Sequence, residues 1–389
     1  MRSDPTRPIL ALTIHAGFAC ARSGACCAAG WPIPVEAGPA IRVRSDGILR
    51  ADALDSSGPM PEGAVAVIRP LASGACPFHD QASGSLCSIQ CRLGHQSLPA
   101  ACRYFPRVTL LEPDAVRVTL SHFCPTAAWL LFRPGPGTLA IVDNAAGIAD
   151  RDEHEGFDAR HTIPPLARPG VATDPDTCRT WERYLVGTLD CEGRTPEDAL
   201  ACMAITADRI RAWDAREATL ADHAERAMLA GAGPLPAGPW TIGEAAVTRL
   251  FAKAADSVPD GLRRPSVPAG FVAADHELVQ PRWRAFARPL RRYLAAHAFG
   301  AWSAYLGDGL RSQVAALAVA LAAVRVEAAR HAAGAARRLD EPLLHAAIRS
   351  ADLLLRHLSD PGILMRSLAG VEKASAEAFR SAIGLEAER

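Results

Sequence analysis

Apolar side chains recur at helical spacing through the second half of the chain. One stripe follows Thr195, a cap residue succeeded by a proline and two acidic residues, which is a common start of a helix. Another begins at Asp340 and stops at Pro361-Gly362. The stretch from Leu310 to Leu339 is rich in alanine and also helical in pattern. The stripe after Thr195 consists of Leu200, Met203, Ala207, Ile210, Trp213, Leu220, Ala224 and Met228.

These patterns predict a helical domain over residues 176–389. A proline-rich connector from Val258 to Pro281 is expected to split it in two. The stripes are typical of helix faces that pack into a core, so we assign them no cofactor role.

The first third of the chain has a different pattern. Arg107–Leu111 and Val116–Leu120 alternate between apolar and polar residues and flank a four-residue turn, which predicts a β-hairpin. Val65–Ile68 is a further strand candidate, while glycine, proline and serine are frequent elsewhere. Residues 1–132 are therefore expected to form a loop-rich α+β region.

Residues 133–175 have the composition of a solvated linker. A proline–glycine run opens the segment at 133–137, a charged patch occupies 150–155, and further prolines follow. The expected fold class is mainly α, with a loop-rich α+β region at the N-terminus and a helical region at the C-terminus.

Charge and hydropathy exclude some classes of function. The chain has 42 basic and 42 acidic residues, which argues against a general nucleic-acid binder. The longest strongly apolar run, Val314–Val324, is far shorter than the roughly 20 residues that cross a bilayer. The apolar N-terminal stretch Ile9–Ala19 is interrupted by His15 and lacks a cleavage site of the signal-peptide type. We therefore predict a cytoplasmic protein with neither a nucleic-acid nor a membrane partner.

Cysteine usage changes this picture most. Eight of the 11 cysteines lie before residue 125. Disulfide frameworks belong mainly to short secreted chains, whereas this chain is long and has an odd number of cysteines. In a reducing compartment, such a concentration of thiols is more typical of a metal site. We therefore predict a cysteine-ligated metal site within residues 20–124.

The spacing of the cysteines bears on the metal. Structural zinc usually takes cysteines in pairs separated by two to four residues, and only Cys87 and Cys91 have such a spacing before residue 125. Dispersed cysteines suit an iron–sulfur cluster, which takes four thiolates, or a polynuclear site. The spacing favours iron but leaves both iron and zinc open.

Several short motifs surround these cysteines. In chain order they are Cys26-Cys27-Ala28-Ala29-Gly30-Trp31, Cys76-Pro77-Phe78-His79-Asp80, Leu86-Cys87-Ser88-Ile89-Gln90, Leu93-Gly94, Cys102-Arg103-Tyr104-Phe105-Pro106-Arg107 and Cys124-Pro125. The combination resembles the YkgJ-type cysteine-cluster family of zinc- or iron-chelating proteins, and within it the flagellin lysine N-methylase branch. The resemblance covers roughly the first third of the chain.

The resemblance implies a metal centre, in the form of a 4Fe-4S cluster or zinc. In the methylase branch it further implies transfer of a methyl group from S-adenosylmethionine to lysine side chains of flagellin or another protein. The cysteines inside or beside the matched motifs are the expected ligands: Cys20, Cys26, Cys27, Cys76, Cys87, Cys102 and Cys124. Seven exceed the four thiolates of one cluster, so some would serve a second metal or a redox role.

Other residues near the motifs have two interpretations each. Arg103, Tyr104 and Arg107 could orient an anionic cluster or bind the cosubstrate carboxylate, or they could cap and pack the hairpin. His79 and His122 could ligate the metal or support a ligand, or be ordinary core or surface histidines. The cysteines that follow the cluster, Cys178, Cys191 and Cys202, are expected to be core thiols.

Two functions remain open at this level. One is a metal-dependent methyltransferase that acts on protein lysines. The other is a non-catalytic zinc- or iron-binding or electron-transfer protein whose helical half docks a partner. The chain has neither the glycine-rich loop of a Rossmann dinucleotide site nor the Cys-x3-Cys-x2-Cys triplet of radical enzymes, so S-adenosylmethionine would bind through another architecture.

Overall fold

The computed structural model describes residues 7–47, 49–58, 60–61, 63–80, 86–133, 138–143, 156–231 and 239–387. The fold is mainly helical, as expected, with 55% helix and 12% strand. The helices are α1 Ala37–Asp46, α2 Ser88–Leu93, α3 Ala100–Tyr104, α4 Pro125–Leu130, α5 Pro175–Asp190, α6 Pro196–Arg211, α7 Leu220–Gly231, α8 Glu244–Asp256, α9 Phe271–Ala274, α10 Gln280–Trp283, α11 Ala287–Ala298, α12 Ser303–Leu306, α13 Leu310–Gly334, α14 Glu341–Leu353, α15 Pro361–Leu368 and α16 Ala376–Ala382.

Two helices extend into wide π-helical turns, at Asp275–Val279 and at Leu354–Leu358. Short 3-10 turns connect other elements, and one of them, Ala25–Ala28, carries two of the cysteines. The remaining 3-10 turns are Thr13–His15, Ala51–Ala53, His95–Ser97, Arg284–Phe286 and Ala369–Lys373.

The strands form several small sheets. They are β1 Ile9–Leu12, β2 Ile33–Val35, β3 Leu54–Asp55, β4 Ala66–Ile68, β5 His79–Asp80, β6 Leu86–Cys87, β7 Arg107–Leu111, β8 Val116–Leu120, β9 Ile141–Asp143, β10 Phe157–Asp158, β11 Leu166–Arg168, β12 Val171–Ala172, β13 Trp240–Ile242 and β14 Leu385–Ala387. The largest sheet has the order β10-β7-β8-β1-β9. In it β7 and β8 form an antiparallel hairpin, and β1 runs parallel to β8.

The main core joins this sheet to the helices. Helix α13 lies in its middle, and Leu12, Leu131 and Leu139 extend the same core to the sheet side. Among the described residues, α13 is also the one helix long and apolar enough to cross a membrane, but 94% of its apolar window is buried inside the protein. Such burial is typical of the core helix of a globular protein, in which neighbouring helices cover every face.

The part of the chain between β1 and β7 forms a second, smaller core. This core consists of ten buried residues: Ile33, Val35, Ala40, Val43, Leu54, Ala66, Ile68, Phe78, Ile89 and Leu98. Cys76, Cys87 and Cys102 pack against it. We call residues 18–106 the cysteine lobe. The chain divides differently from the expected boundary at residue 132, because β1 contributes Leu12 to the main core and the β7–β8 hairpin pairs with β1 in the largest sheet. We call this sheet, together with the helices of the main core, the main body.

Most predicted local elements are confirmed. The hairpin has the expected strands and register, Arg107 facing Leu120, and β4 covers all but one residue of the predicted strand. Thr195 caps α6 in a reciprocal capping box with Asp198. The stripe that follows belongs to two helices, because a turn separates Arg211 from Leu220.

Two predicted connectors contain regular structure. The connector expected up to Pro281 ends earlier, since α9, a π turn and α10 occupy residues 271–283. The segment expected to be a linker supplies both edge strands of the large sheet, β9 and β10. Backbone pairing with β1 and β7 provides partners that the sequence pattern of the segment does not reveal. The proline–glycine run after residue 133 and the charged patch at 150–155 lie outside the described residues.

Candidate functional site

Turns and helix ends position the cysteines of the lobe. Gly24 adopts a left-handed conformation, φ 70°, and starts the 3-10 turn that holds Cys26 and Cys27. The Cys76 amide donates to the Cys27 carbonyl at 2.7 Å. Cys87 is the last residue of β6 and immediately precedes α2. Cys102 lies in α3.

Three of these thiols interact directly. The Cys27 side chain hydrogen-bonds to those of Cys26 and Cys87, and this sharing raises the pKa of Cys27. The same bonds lower the pKa of Cys26 to about 7 and that of Cys87 to about 6. Cys27 thus keeps its proton and donates it toward two sulfurs that ionise close to neutral pH.

Two further thiols lie in the electrostatic range of this group. Burial, followed by the charges of Cys87 and Cys26, raises the pKa of Cys76 to about 11. Burial also raises the pKa of Cys102, with added repulsion from Cys87, Cys76 and Cys26. Five thiols that repel one another in the ionised form are therefore gathered in one place, and a bound cation would relieve this repulsion.

The thiols surround a large cavity. Its volume is about 930 Å³, and its wall includes six of the seven predicted ligands: Cys20, Cys26, Cys27, Cys87, Cys102 and Cys124. The seventh, Cys76, lines a small neighbouring cleft together with Cys26, Cys27, Trp31 and Ile33. Arg103, Tyr104 and Arg107, the predicted cosubstrate residues, line the same cavity. The structure thus brings every residue of the predicted site to one cavity or its immediate wall.

The cysteines do not form a preformed ion cage. Among the described residues, no three His, Cys, Asp or Glu side chains converge closely enough to hold a single metal ion. Metal binding would therefore have to draw the sulfurs together. Ligation by the seven cysteines stays a prediction.

Three observations show that the residues suit a thiolate-held metal. The donors are soft thiols, the ligands that iron–sulfur clusters and zinc prefer, and every cysteine is free of disulfides. The His79 imidazole lies directly opposite Cys87 in the β5–β6 pairing, and both its ring nitrogens are buried without a hydrogen-bond partner among the described residues. The lobe has a core of only ten residues, and small cores commonly need a metal or a cross-link.

Cysteines outside the motifs have varied environments. Cys91 is exposed on α2, away from the cavity lining. Cys202 is buried in α6 and Cys178 is half-buried in α5, as expected of core thiols. The same prediction is wrong for Cys191, which is exposed where α5 ends and the chain turns toward α6.

A buried carboxylate at the junction of the lobe and the helices was not found from the sequence. Asp352 is fully buried and accepts hydrogen bonds from the Ser121 hydroxyl at 2.7 Å and the His122 amide at 2.6 Å. Its other oxygen is 2.9 Å from His297 Nε2 and 3.4 Å from the Tyr293 hydroxyl. These bonds hold α14 to the strand end that leads to Cys124.

Histidines extend this cluster in two directions. His357 Nε2 lies 2.7 Å from the Ser121 hydroxyl, and its ring stacks on Trp31 of the cysteine lobe at 4.4 Å between centroids. On the other side, His122 Nε2 is 3.3 Å from His15 Nε2, and both of these rings are fully buried. The sequence contains one sign of this buried carboxylate. Asp352 interrupts an apolar helical stripe four residues before Arg356, and an acidic residue within such a stripe indicates a buried partner.

Replacing this carboxylate is expected to destabilise the protein. Asp352→Asn keeps the shape of the side chain. It removes the negative charge that pairs with Arg356, and it replaces one of the two oxygens that accept hydrogen bonds from Ser121 and His297 by an amide nitrogen. Breaking a buried charge network of this kind costs about 3–5 kcal/mol. The free energy of unfolding from urea titration measures the loss, and Asp256→Asn, an exposed helical position, is the matched control. Equal free energies of unfolding for the two variants would show that the Asp352 charge does not contribute to stability.

No protein-family model, curated protein or solved structure matches this chain. The resemblance to the cysteine-cluster family therefore stays a prediction from the motifs, and function is inferred from the geometry of the site.

Proposed function

We propose that the protein binds a thiolate-held metal centre, in the form of a 4Fe-4S cluster, in the cysteine lobe. The carrying observation is the gathering of Cys26, Cys27, Cys76, Cys87 and Cys102, although they lie up to 76 positions apart in the sequence. Four such thiolates are the ligand set of a cluster. Zinc is the alternative metal for the same donors.

The protonation pattern suits this role. Cys26 and Cys87 have pKa values near neutrality, so they can offer thiolates at low cost. Cys27 shares its proton with both, and metal binding would release that proton. His79 lies opposite Cys87, and its ring nitrogens have no hydrogen-bond partner among the described residues, so it would support a ligand or serve as one.

We further propose that the centre serves methyl transfer from S-adenosylmethionine to a protein lysine, with flagellin as the candidate substrate. Two observations support this over a purely structural metal: the cavity of about 930 Å³ is far larger than a metal ion needs, and Arg103, Tyr104 and Arg107 line it beside the thiols. The arginines are suited to hold a carboxylate. When bound, a cluster with one iron that is not ligated by cysteine would supply a Lewis acid for the amino and carboxylate groups of the cosubstrate.

The chain's own residues would prepare the acceptor. A lysine must lose its proton before its nitrogen can attack a methyl group, so its pKa must fall from roughly 10.4 toward neutrality. The positive charges of Arg103 and Arg107 would lower it. Tyr104, which lines the same cavity, would accept the proton in its phenolate form, a form that the same arginines would favour.

Two experiments test these proposals separately. The first is metal analysis and absorption spectroscopy of protein purified without oxygen, where a broad visible absorption with iron and sulfide is expected. Absence of stoichiometric iron and zinc would refute the metal centre.

The second is incubation of metal-loaded protein with methyl-labelled S-adenosylmethionine and flagellin from the same organism. Label on flagellin lysine is expected. If the metal is present but no cellular protein is labelled, a non-catalytic metal-binding or electron-transfer protein is the remaining function.

A further inference from the structure

A second cavity lies next to the cysteine cavity. Its volume is about 350 Å³, which is at the small end of ligand sites and suits one ring system with its substituent. Trp31, Phe105 and Trp302 contribute aromatic surface, while His297, Arg356 and His357 are among its polar lining residues. Among the described residues, its lining contains no carboxylate.

The Asp352 cluster fixes which nitrogen of each histidine carries the proton. Because a carboxylate can only accept hydrogen bonds, the Ser121 hydroxyl must donate to Asp352. The Ser121 oxygen is then free to accept a hydrogen bond from His357 Nε2–H. His297 likewise donates from Nε2 to Asp352. Nδ1 of each ring therefore carries the lone pair. Burial lowers the pKa of both His297 and His357 to about 4, which keeps both rings uncharged at neutral pH.

Arg356 supplies a donor to the same wall. Its Nη2 donates to the Ala296 carbonyl at 2.9 Å. Its Nε is buried and makes no hydrogen bond with any described group, although an Asp352 oxygen lies 3.4 Å away. The Asp352 ion pair balances the charge of Arg356, but this N–H makes no hydrogen bond among the described residues, so a ligand atom that accepts a hydrogen bond here would be favoured.

We propose that this cavity binds an aminated heteroaromatic ring of the 6-aminopurine type, with the ring between the aromatic walls and its amino edge against His357 and Arg356. The exocyclic amino group of such a ring donates, and a ring nitrogen beside it accepts. The wall offers the complement, an imidazole acceptor and a guanidinium donor. Aromatic side chains are common stacking partners of such bases.

The position of the cavity connects this inference to the cysteine site. Tyr104, Phe105, Arg107 and Thr109 line both cavities, so one short segment separates them. A ligand with its purine in the small cavity would have the rest of the molecule directed toward the thiols. The biological role of this ligand orientation rests on the proposed methyl transfer. Purine binding itself does not depend on that proposal.

Titration calorimetry of the full chain with adenosine and inosine tests the inference. Inosine has a carbonyl oxygen where adenosine has the amino group, so it would place an acceptor against the histidine acceptors. Adenosine is expected to bind roughly tenfold or more tightly than inosine. Equal affinities would refute the hydrogen-bonded edge, and no binding of either would refute the purine assignment, while metal analysis of the same sample reports independently on the metal centre.

Variants locate the binding. His357→Phe keeps a ring against Trp31 but removes the acceptor, and it is expected to abolish the preference for adenosine. His345→Phe is the matched control, because His345 also stacks on a tryptophan, Trp129, at 4.1 Å and lies outside the cavity lining. A preference that survives His357→Phe would overturn the proposal.

A second variant covers the case in which His357→Phe fails to fold. Ala301→Leu adds bulk to the cavity wall and leaves the Asp352 cluster unchanged. It is expected to weaken adenosine binding roughly tenfold or more. Unchanged affinity in this variant would place the purine elsewhere and overturn the assignment.

Discussion

Cys87→Ser combined with Cys102→Ser is expected to release the metal and loosen the cysteine lobe. Both thiols belong to the cysteine group. Cys87 packs on the lobe core through β6 and Cys102 packs on it through α3. Metal ligation in small domains supplies roughly 10–16 kcal/mol of folding free energy. With only ten buried residues in its own core, the lobe has little to replace that contribution.

Metal content and hydrogen exchange measure this effect together. The double variant should lose its visible absorption, and amides of the cysteine lobe, residues 18–106, should exchange faster. Residues 195–230 should keep their protection, because they belong to the main core. Cys178→Ser with Cys202→Ser is the matched control, since these two thiols lie in α5 and α6, away from the cavity. Equal exchange of the lobe with and without metal would contradict the prediction.

Mild acid is expected to destabilise the main body through its buried histidines. Burial lowers the pKa of His122 to about 3 and the pKa values of His297 and His357 to about 4. An unfolded histidine has a pKa of about 6.5. Between these values the unfolded chain binds protons that the folded protein excludes.

The sign follows from this difference in proton binding. Stability is fully present above about pH 6.5 and falls as the pH drops toward 4, because the unfolded state takes up more protons. His297 and His357 each contribute about 3 kcal/mol of this loss at pH 4. Asp352 acts in the same direction at lower pH: its hydrogen bond from His297 and the Arg356 charge outweigh burial and lower the pKa of its carboxyl group.

Urea unfolding at a series of pH values measures this dependence. Replacing His357 by glutamine should reduce the slope between pH 4 and 6.5 by up to about 1.4 kcal/mol per pH unit. His276→Gln, at an exposed position in the π turn before α10, should leave the slope unchanged. Metal content is followed in the same samples, because acid also protonates thiolates. A slope that His357→Gln does not alter would show that this ring stays solvated.

Short-range features were predictable from the sequence because their interactions span only a few residues. The Thr195 cap and its partner Asp198 are three positions apart, and the β7–β8 hairpin closes on four turn residues. The concentration of cysteines is likewise visible in the sequence, and it predicts the region of the candidate site. In each case the deciding contacts lie within one element or between two consecutive ones.

The tertiary structure alone decided how these parts meet. Cys27 reaches Cys87 across 60 positions, and Ser121 reaches Asp352 across 231. Pairing of β1 with β8 assigns the N-terminal strand to the main body and makes the cysteine lobe an insertion. The physical reason is that burial of Asp352, the shared proton of Cys27 and the two adjoining cavities depend on which distant surfaces pack together, and periodicity along the chain specifies only which face of each element is apolar.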